Sequence, residues 1–180
     1  IIRAVGEPDK RFAEDALRIL RAIRFSAKLG FEIDKTTFES MKRNANLVKN
    51  VSYERIRDEL CKLLMTNSPM SGLVVAHETG VLGIILPEVV AGMGVSQNQA
   101  HSFDVWEHNL RTLQHAADKN WPLELRLSAL LHDVSKPETR RFSREKGDYT
   151  FYGHDVVGGR VAREIMIRLK FPSATVDYVS

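Results

Sequence analysis

Apolar residues in this chain recur at intervals of three and four, and this period limits the fold more tightly than any other property of the sequence. Phe12, Ala16, Leu20, Ile23 and Ala27 share one face of a helix predicted over residues 12–29, which Gly30 stops. Ser52 is placed as the N-cap of a second helix, with Ile56, Leu60, Leu63 and Leu64 turned inward. Residues 71–79 read as a short helix closed by Gly80, and residues 82–87 as a small-residue connection. Three longer helices are expected over 105–119, 123–132 and 156–170. Only 139–152 departs from the pattern: Gly147 and Asp148, between Arg141-Phe142-Ser143 and a run rich in Tyr and Phe, read as a hairpin. The expected fold class is all-α.

A chain of 180 residues with 43% hydrophobic side chains can bury a core as one large domain or two small ones, which excludes a disordered or fibrous chain. The single cysteine, Cys61, cannot close an internal disulfide and reads as a core thiol, so a reducing, cytoplasmic compartment is expected. The longest apolar stretch, residues 72–95, is interrupted by His77, Glu78, Pro87, Glu88 and several glycines, and offers no membrane span. The chain opens on Ile1 rather than Met and stops at Tyr178-Val179-Ser180 within a helical pattern, as expected of a piece of a longer protein. The net charge of +3 is uneven: residues 1–62 hold 14 Lys and Arg against 10 Asp and Glu. Such a front segment suits either a solvated helix face or contacts with nucleic-acid phosphates.

Opposite the apolar stripe of the first helix stand Glu14, Asp15, Arg18, Arg21 and Arg24. Asp15 and Arg18, three apart, lie one above the other. They form either a surface ion pair or, jointly, an acceptor and donors that match the edge of a nucleobase, while neighbouring arginines meet phosphates. Farther along, four of the 6 histidines fall between His101 and His132. His132 and Asp133 end an apolar helix, and His108 lies on the helix before it. Adjacent helical residues diverge by about 100°, so these two share an ion only at a helix end, which Ser135 and Pro137 supply. Two imidazoles and a carboxylate suit Mg²⁺ or a transition metal. Satisfied polar groups at a helix end are the alternative. Trp106 and Trp121 read as core anchors.

Residues 11–25, with Glu14-Asp15-x-x-Arg18-x-x-Arg21, resemble the Glu-Asp-x-x-Arg-x-x-Arg helix of the tRNA nucleotidyltransferases (CCA-adding enzymes) and bacterial poly(A) polymerases. Ser52-Tyr53-Glu54-Arg55-Ile56 resembles the motif that follows it, and Ile1-Ile2-Arg3 the tail of one that precedes it. The resemblance implies that Asp15 and Arg18 hydrogen-bond the base of incoming CTP or ATP and that Arg21 supports the nucleotide. It implies that Glu14 orders the helix and that Glu54 and Arg55 steady the neck. It also implies Mg²⁺-binding carboxylates in a catalytic head before Ile1, so that this fragment should not transfer nucleotides alone.

The run 99–108, then His132-Asp133 with Lys136-Pro137, then residues 151–155, is similar to the HD-type phosphohydrolase domain that follows the neck in many bacterial members. On that likeness His108, His132 and Asp133 are metal ligands, Lys136 and His154 face a phosphate, and His101 is a candidate lining residue. Ser135 stands where the family usually has Gly. A final metal-binding Asp is expected beyond Ser180, with Asp177 a poorly placed substitute. The implied organisation is a neck over 1–65, a body or connector over 66–100 and a partial HD domain over 101–180. The implied function is addition of C or A nucleotides to tRNA or other RNA 3′ ends, with Mg²⁺ in transfer and Mg²⁺ or a transition metal in the HD domain. A stand-alone HD phosphohydrolase of nucleotides or cyclic phosphates, and a non-catalytic RNA-binding module, are the alternatives.

Overall fold

The helix expected over residues 12–29 is two helices. α1 (Pro8–Glu14) ends at Asp15, whose backbone is extended at φ −154° and ψ 100°, and α2 (Leu17–Leu29) restarts after Ala16. Asp15 Oδ1 accepts from the Leu17 amide at 3.1 Å, an acceptor that competes with the backbone and starts a new helix. The structure is a computed structural model and describes residues 1–97 and 102–180. These divide into two units, Ile1–Leu86 and Pro87–Ser180.

In the first unit α3 (Lys35–Asn44) begins at Asp34, whose carboxylate accepts from the Thr37 amide at 3.2 Å. A 3₁₀ segment (Ala45–Asn50), α4 (Tyr53–Leu64), α5 (Pro69–Glu78) and α6 (Leu82–Ile85) follow. α2 packs on both α4 and α5, and Leu20, Ile23, Ile56, Leu60, Leu63 and Leu73 are buried. α5 comes so close that a Cβ on Gly72 would overlap Leu63 Cδ1 and stand 3.0 Å from Ala27 Cβ. At the front of the chain Ile2 forms a parallel bridge with Ile33.

In the second unit α7 (Pro87–Val90) leads to α8 (Val105–Asp118) and α9 (Leu123–Leu131), which pack on each other around Leu110, Leu113, Leu127 and Leu130. Short α10 (Lys136–Thr139) precedes an antiparallel hairpin, β1 (Arg141–Ser143) and β2 (Asp148–Thr150), with Phe142 opposite Tyr149. α11 (His154–Arg168) and α12 (Ser173–Val179) complete the unit.

The all-α expectation holds, with the hairpin where the sequence put it. Residues 82–87 differ: they lie in α6 and the start of α7 rather than in a connection. Trp106 is buried, but Trp121 is 41% exposed and meets His115 edge-on, and Cys61 is only half-buried. Among the described residues no helix is long and apolar enough to cross a membrane.

Candidate functional site

In the first unit four arginines, Arg3, Arg11, Arg18 and Arg21, line a cavity of about 220 Å³. Arg11, Arg18 and Arg21 line it together with Phe12 and Phe25, so cationic groups stand beside an apolar wall. Glu14 fixes two of them: Oε2 accepts from Arg11 Nη1 at 2.7 Å and from Arg18 Nη1 at 2.6 Å. Arg18 also donates to the Arg11 carbonyl at 2.8 Å, across the break between α1 and α2. Asp15 pairs with Arg55 rather than Arg18: Oδ2 accepts from Arg55 Nη2 at 2.9 Å, with Arg21 Nη1 3.9 Å away. Burial works against the Asp15 charge, but the Leu17 amide and the Arg55 guanidinium outweigh it and hold the carboxyl below its ordinary range. Glu54 is exposed in the first turn of α4, where a carboxylate complements the helix dipole.

In the second unit α9 ends at Leu131, so His132 and Asp133 stand past its last turn and can face one point. His132 Nε2 is 3.1 Å from His108 Nε2, and Asp133 Oδ2 is 3.3 Å and 3.4 Å from the two. His132 Nδ1 donates to the Ala129 carbonyl at 2.9 Å, which fixes the ring with Nε2 at that same point. This donor set fits a divalent cation: one atom from each of His108, His132 and Asp133, all within 4.8 Å of one another.

Around the three lies a supporting layer. Buried Lys136 donates from Nζ to Asp133 Oδ2 at 2.7 Å and to Gln97 Oε1 at 2.6 Å. Gln97 Nε2 in turn donates to the Phe103 carbonyl at 3.3 Å, which settles which end of the amide meets the lysine. His154 donates from Nδ1 to the Phe151 carbonyl at 2.7 Å and brings Nε2 within 3.7 Å of Asp133 Oδ1. Burial opposes both charges at the centre, and pairing overcomes it. His132 and Lys136 hold the Asp133 carboxyl well below the carboxylate range, and Asp133 pushes His132 up.

Two family models match successive stretches of the chain. Residues 30–93 match a family model described as the probable RNA- and SrmB-binding site of polymerase A, and residues 105–179 match the HD domain. The CC-adding tRNA nucleotidyltransferase of Thermus thermophilus is 37% identical over 182 residues, covering 96% of this chain and 41% of that protein. The A-adding tRNA nucleotidyltransferase of Deinococcus radiodurans is 35% identical, over 98% of this chain and 42% of its own length. Over nearly its whole length the chain is similar to tRNA nucleotidyltransferases. It spans roughly two fifths of the length of the relatives it matches, among them the multifunctional CCA protein of Neisseria gonorrhoeae at 39% identity. A solved CCA-adding enzyme in an apo form shares the fold at a TM-score of 0.56 and 19% identity, over 94% of this chain and 34% of that one.

Of the residues that suggested the tRNA nucleotidyltransferase family, the structure gathers His108, His132, Asp133, Lys136 and His154 in one place. Arg18 and Arg21 reach a common cavity, and Asp15 turns to Arg55. Arg24, expected on the exposed face, instead meets Glu59 Oε2 at 2.7 Å. His101 lies outside the described residues. Asp177 pairs with Arg163 at 2.8 Å and is not part of the histidine cluster. Ser135 Oγ donates to the His154 carbonyl at 2.6 Å, tying the start of α11 to the segment that carries Asp133.

Sequence reasoning missed Arg11, Phe25, Glu59 and Gln97. Glu59 did leave a signal, since it stands three residues from Ile56 and four from Leu63, within the inward stripe of α4. Gln97 sits in an irregular segment with no period to mark it.

Proposed function

We propose that this chain is the nucleotide-selecting and HD-bearing part of a longer enzyme that adds C or A nucleotides to tRNA 3′ ends. The observation that carries this reading is the cavity in which Arg11, Arg18 and Arg21 stand beside Phe12 and Phe25. An apolar wall receives the flat face of a base, and guanidinium groups offer donors in fixed planes to base edges or phosphates. Glu14 restrains Arg11 and Arg18, so their remaining N–H groups are aimed before a nucleotide arrives. Asp15, kept ionised by Leu17 and Arg55, supplies the acceptor; Arg21 meets the phosphates.

CTP and ATP are the proposed nucleotides, and the transfer itself falls to metal-binding carboxylates elsewhere in the longer enzyme. Residues 1–65 act as the neck, 66–100 as a connector and 101–180 as the HD domain. A cytoplasmic location accords with the single reduced Cys61. In the longer enzyme, Arg18→Ala and Asp15→Asn should each remove roughly 1–3 kcal/mol of discrimination among the four nucleoside triphosphates. Single-turnover incorporation into a tRNA lacking its 3′-terminal nucleotides measures this. Unchanged selectivity at full rate in both variants overturns the assignment.

A second reading, favoured by three donor atoms within 4.8 Å, is that His108, His132 and Asp133 hold a divalent cation and that this unit hydrolyses a phosphate ester. When bound, such an ion polarises a phosphoryl oxygen and acidifies a coordinated water. Lys136 and Gln97 hold the Asp133 carboxylate in place, Ala129 fixes the His132 ring, and His154 is placed to pass a proton to a leaving oxygen. Calorimetric titration with Mn²⁺ should show His132→Ala binding at least about tenfold more weakly than the unaltered chain. Equal affinities overturn this reading.

A further inference from the structure

Along α4, Arg55, Glu59 and Lys62 stand four and three residues apart and so share one face of the helix. That face meets α2 and the break before it as a row of alternating charge. Arg55 Nη2 donates to Asp15 Oδ2 at 2.9 Å, and Arg21 Nη1 lies 3.9 Å from the same oxygen. Arg21 Nε lies 3.8 Å from Glu59 Oε1, and Arg24 Nε donates to Glu59 Oε2 at 2.7 Å. Within the row Arg21 is held most loosely. Arg55 and Arg24 each hydrogen-bond a carboxylate, whereas both carboxylates beside Arg21 lie beyond the roughly 2.7–3.2 Å of a hydrogen bond. Of these three arginines it is Arg21 that lines the cavity with Arg11 and Arg18.

The stability of α4 does not account for Arg55. It stands in the first turn, where a cation opposes the helix dipole. Its side chain is 50% exposed, and ion pairs so open to water add little to folding. What the pair does control is access to Asp15. Oδ1 accepts from the Leu17 amide and Oδ2 from Arg55, so Arg21 meets a carboxylate with both oxygens engaged. With Arg55 removed, Arg21 is the cation at hand, and closing on Oδ2 would tie down the guanidinium that now faces the cavity.

We infer that Arg55 is a positioning residue for nucleotide binding: by occupying Asp15 Oδ2 it keeps Arg21 from collapsing onto that carboxylate and leaves the Arg21 guanidinium free for the triphosphate of an incoming nucleotide. Arg55 touches no nucleotide and acts through Asp15 and Arg21 alone. The inference rests on the proposed role of Arg21 toward the phosphates. Since every nucleoside triphosphate carries the same phosphates, the effect of Arg55 is on affinity for all of them and does not depend on the base.

Two measurements test it. In the longer enzyme, Arg55→Ala should raise KM for CTP and for ATP alike by about tenfold, with kcat changed less, and Arg55→Lys, which keeps a cation at Oδ2, should recover most of the loss. In an Arg21→Ala background Arg55→Ala should add nothing further, because no guanidinium is left to misplace. In the 180-residue chain without nucleotide, side-chain NMR of the arginines should show rotation of the Arg21 guanidinium slowed by Arg55→Ala, as it takes up the vacated hydrogen bond. The half-exposed position lets the variants fold, which circular dichroism checks. An Arg55→Ala effect on KM that stays full-sized in the Arg21→Ala background overturns the inference, as does an Arg21 signal unmoved by Arg55→Ala. If Arg21→Ala itself leaves KM unchanged, the phosphate role of Arg21 is what fails, and the NMR result alone decides whether Arg55 keeps Arg21 off Asp15.

Discussion

Glu59 is the most demanding single placement in the first unit. Its side chain is 5% exposed, yet it stays charged because Arg24 stands at 2.7 Å, Lys62 at 3.2 Å and Arg21 at 3.8 Å. Burial alone would raise its pKa, and the hydrogen bonds from Arg24 and Lys62 more than reverse this, leaving it below the ordinary 4.5. A carboxyl with a depressed folded pKa stabilises the fold fully above its unfolded value, and the contribution fades as pH falls through the folded one. Glu59→Gln should therefore be less stable near neutrality by about 2 kcal/mol, between the limits for exposed and buried pairs. It should also lose less stability than the unaltered chain on acidification below the ordinary value. Urea denaturation across that range checks both, and parallel pH profiles would refute the assignment.

Asp15 shows how one side chain can hold two jobs that the sequence does not separate. Oδ1 caps α2 and Oδ2 holds Arg55, so Asp15→Ala removes a cap of about 1 kcal/mol along with the charge, while Asp15→Asn keeps the cap. Thermal melts should rank the unaltered chain above Asn and Asn above Ala; Asn falling as low as Ala would show that the cap contributes nothing. The apolar period runs unbroken through residues 12–29, and a break made by one acceptor leaves no mark on it. Its partner Arg55 comes from 40 residues away, beyond the reach of helical spacing. His132 and Asp133 were legible for the opposite reason, because Ser135 and Pro137 mark a helix end beside an apolar run.

At the scale of elements, the contact of α5 with α2 and α4 depends on the missing side chain of Gly72. Alanine there gains up to about 1 kcal/mol of helix propensity but must displace Leu63 from a buried contact, which costs about 1–3 kcal/mol. Gly72→Ala should lower the melting temperature, and a rise would mean that the contact has room to spare. The longer helices were readable because each buries an apolar face with a regular period, and the hairpin, whose strands bury no residue, because Gly147 and Asp148 mark a turn. α3 was not, since the residues it buries are Thr37, Ser40 and Met41, mostly polar, and its apolar stripe is nearly absent. α6 and α7 are four residues each, too short for a period to repeat.

Across the whole molecule, each candidate site is built within one unit, so the two can be perturbed separately. A ligand that binds only the folded second unit raises its stability by about 2.7 kcal/mol at a hundredfold excess over Kd. Scanning calorimetry with Mn²⁺ should shift the transition of residues 87–180 upward and leave that of residues 1–86 in place, and His132→Ala should abolish the shift. A shift that survives His132→Ala would place the ion elsewhere.

Asp133 gives the second unit a particular kind of vulnerability. Its Oδ2 meets His108, His132 and Lys136, and its Oδ1 faces His154, so basic side chains from α8, the end of α9, α10 and α11 all converge on one carboxylate. In a network of this shape the spokes are replaceable and the hub is not. Losing Lys136 or His154 leaves three links standing, whereas Asp133→Asn removes the one carboxylate on which all four side chains converge. Tolerance to change in this unit is therefore distributed very unevenly, with a single point of failure two residues past the end of an ordinary helix.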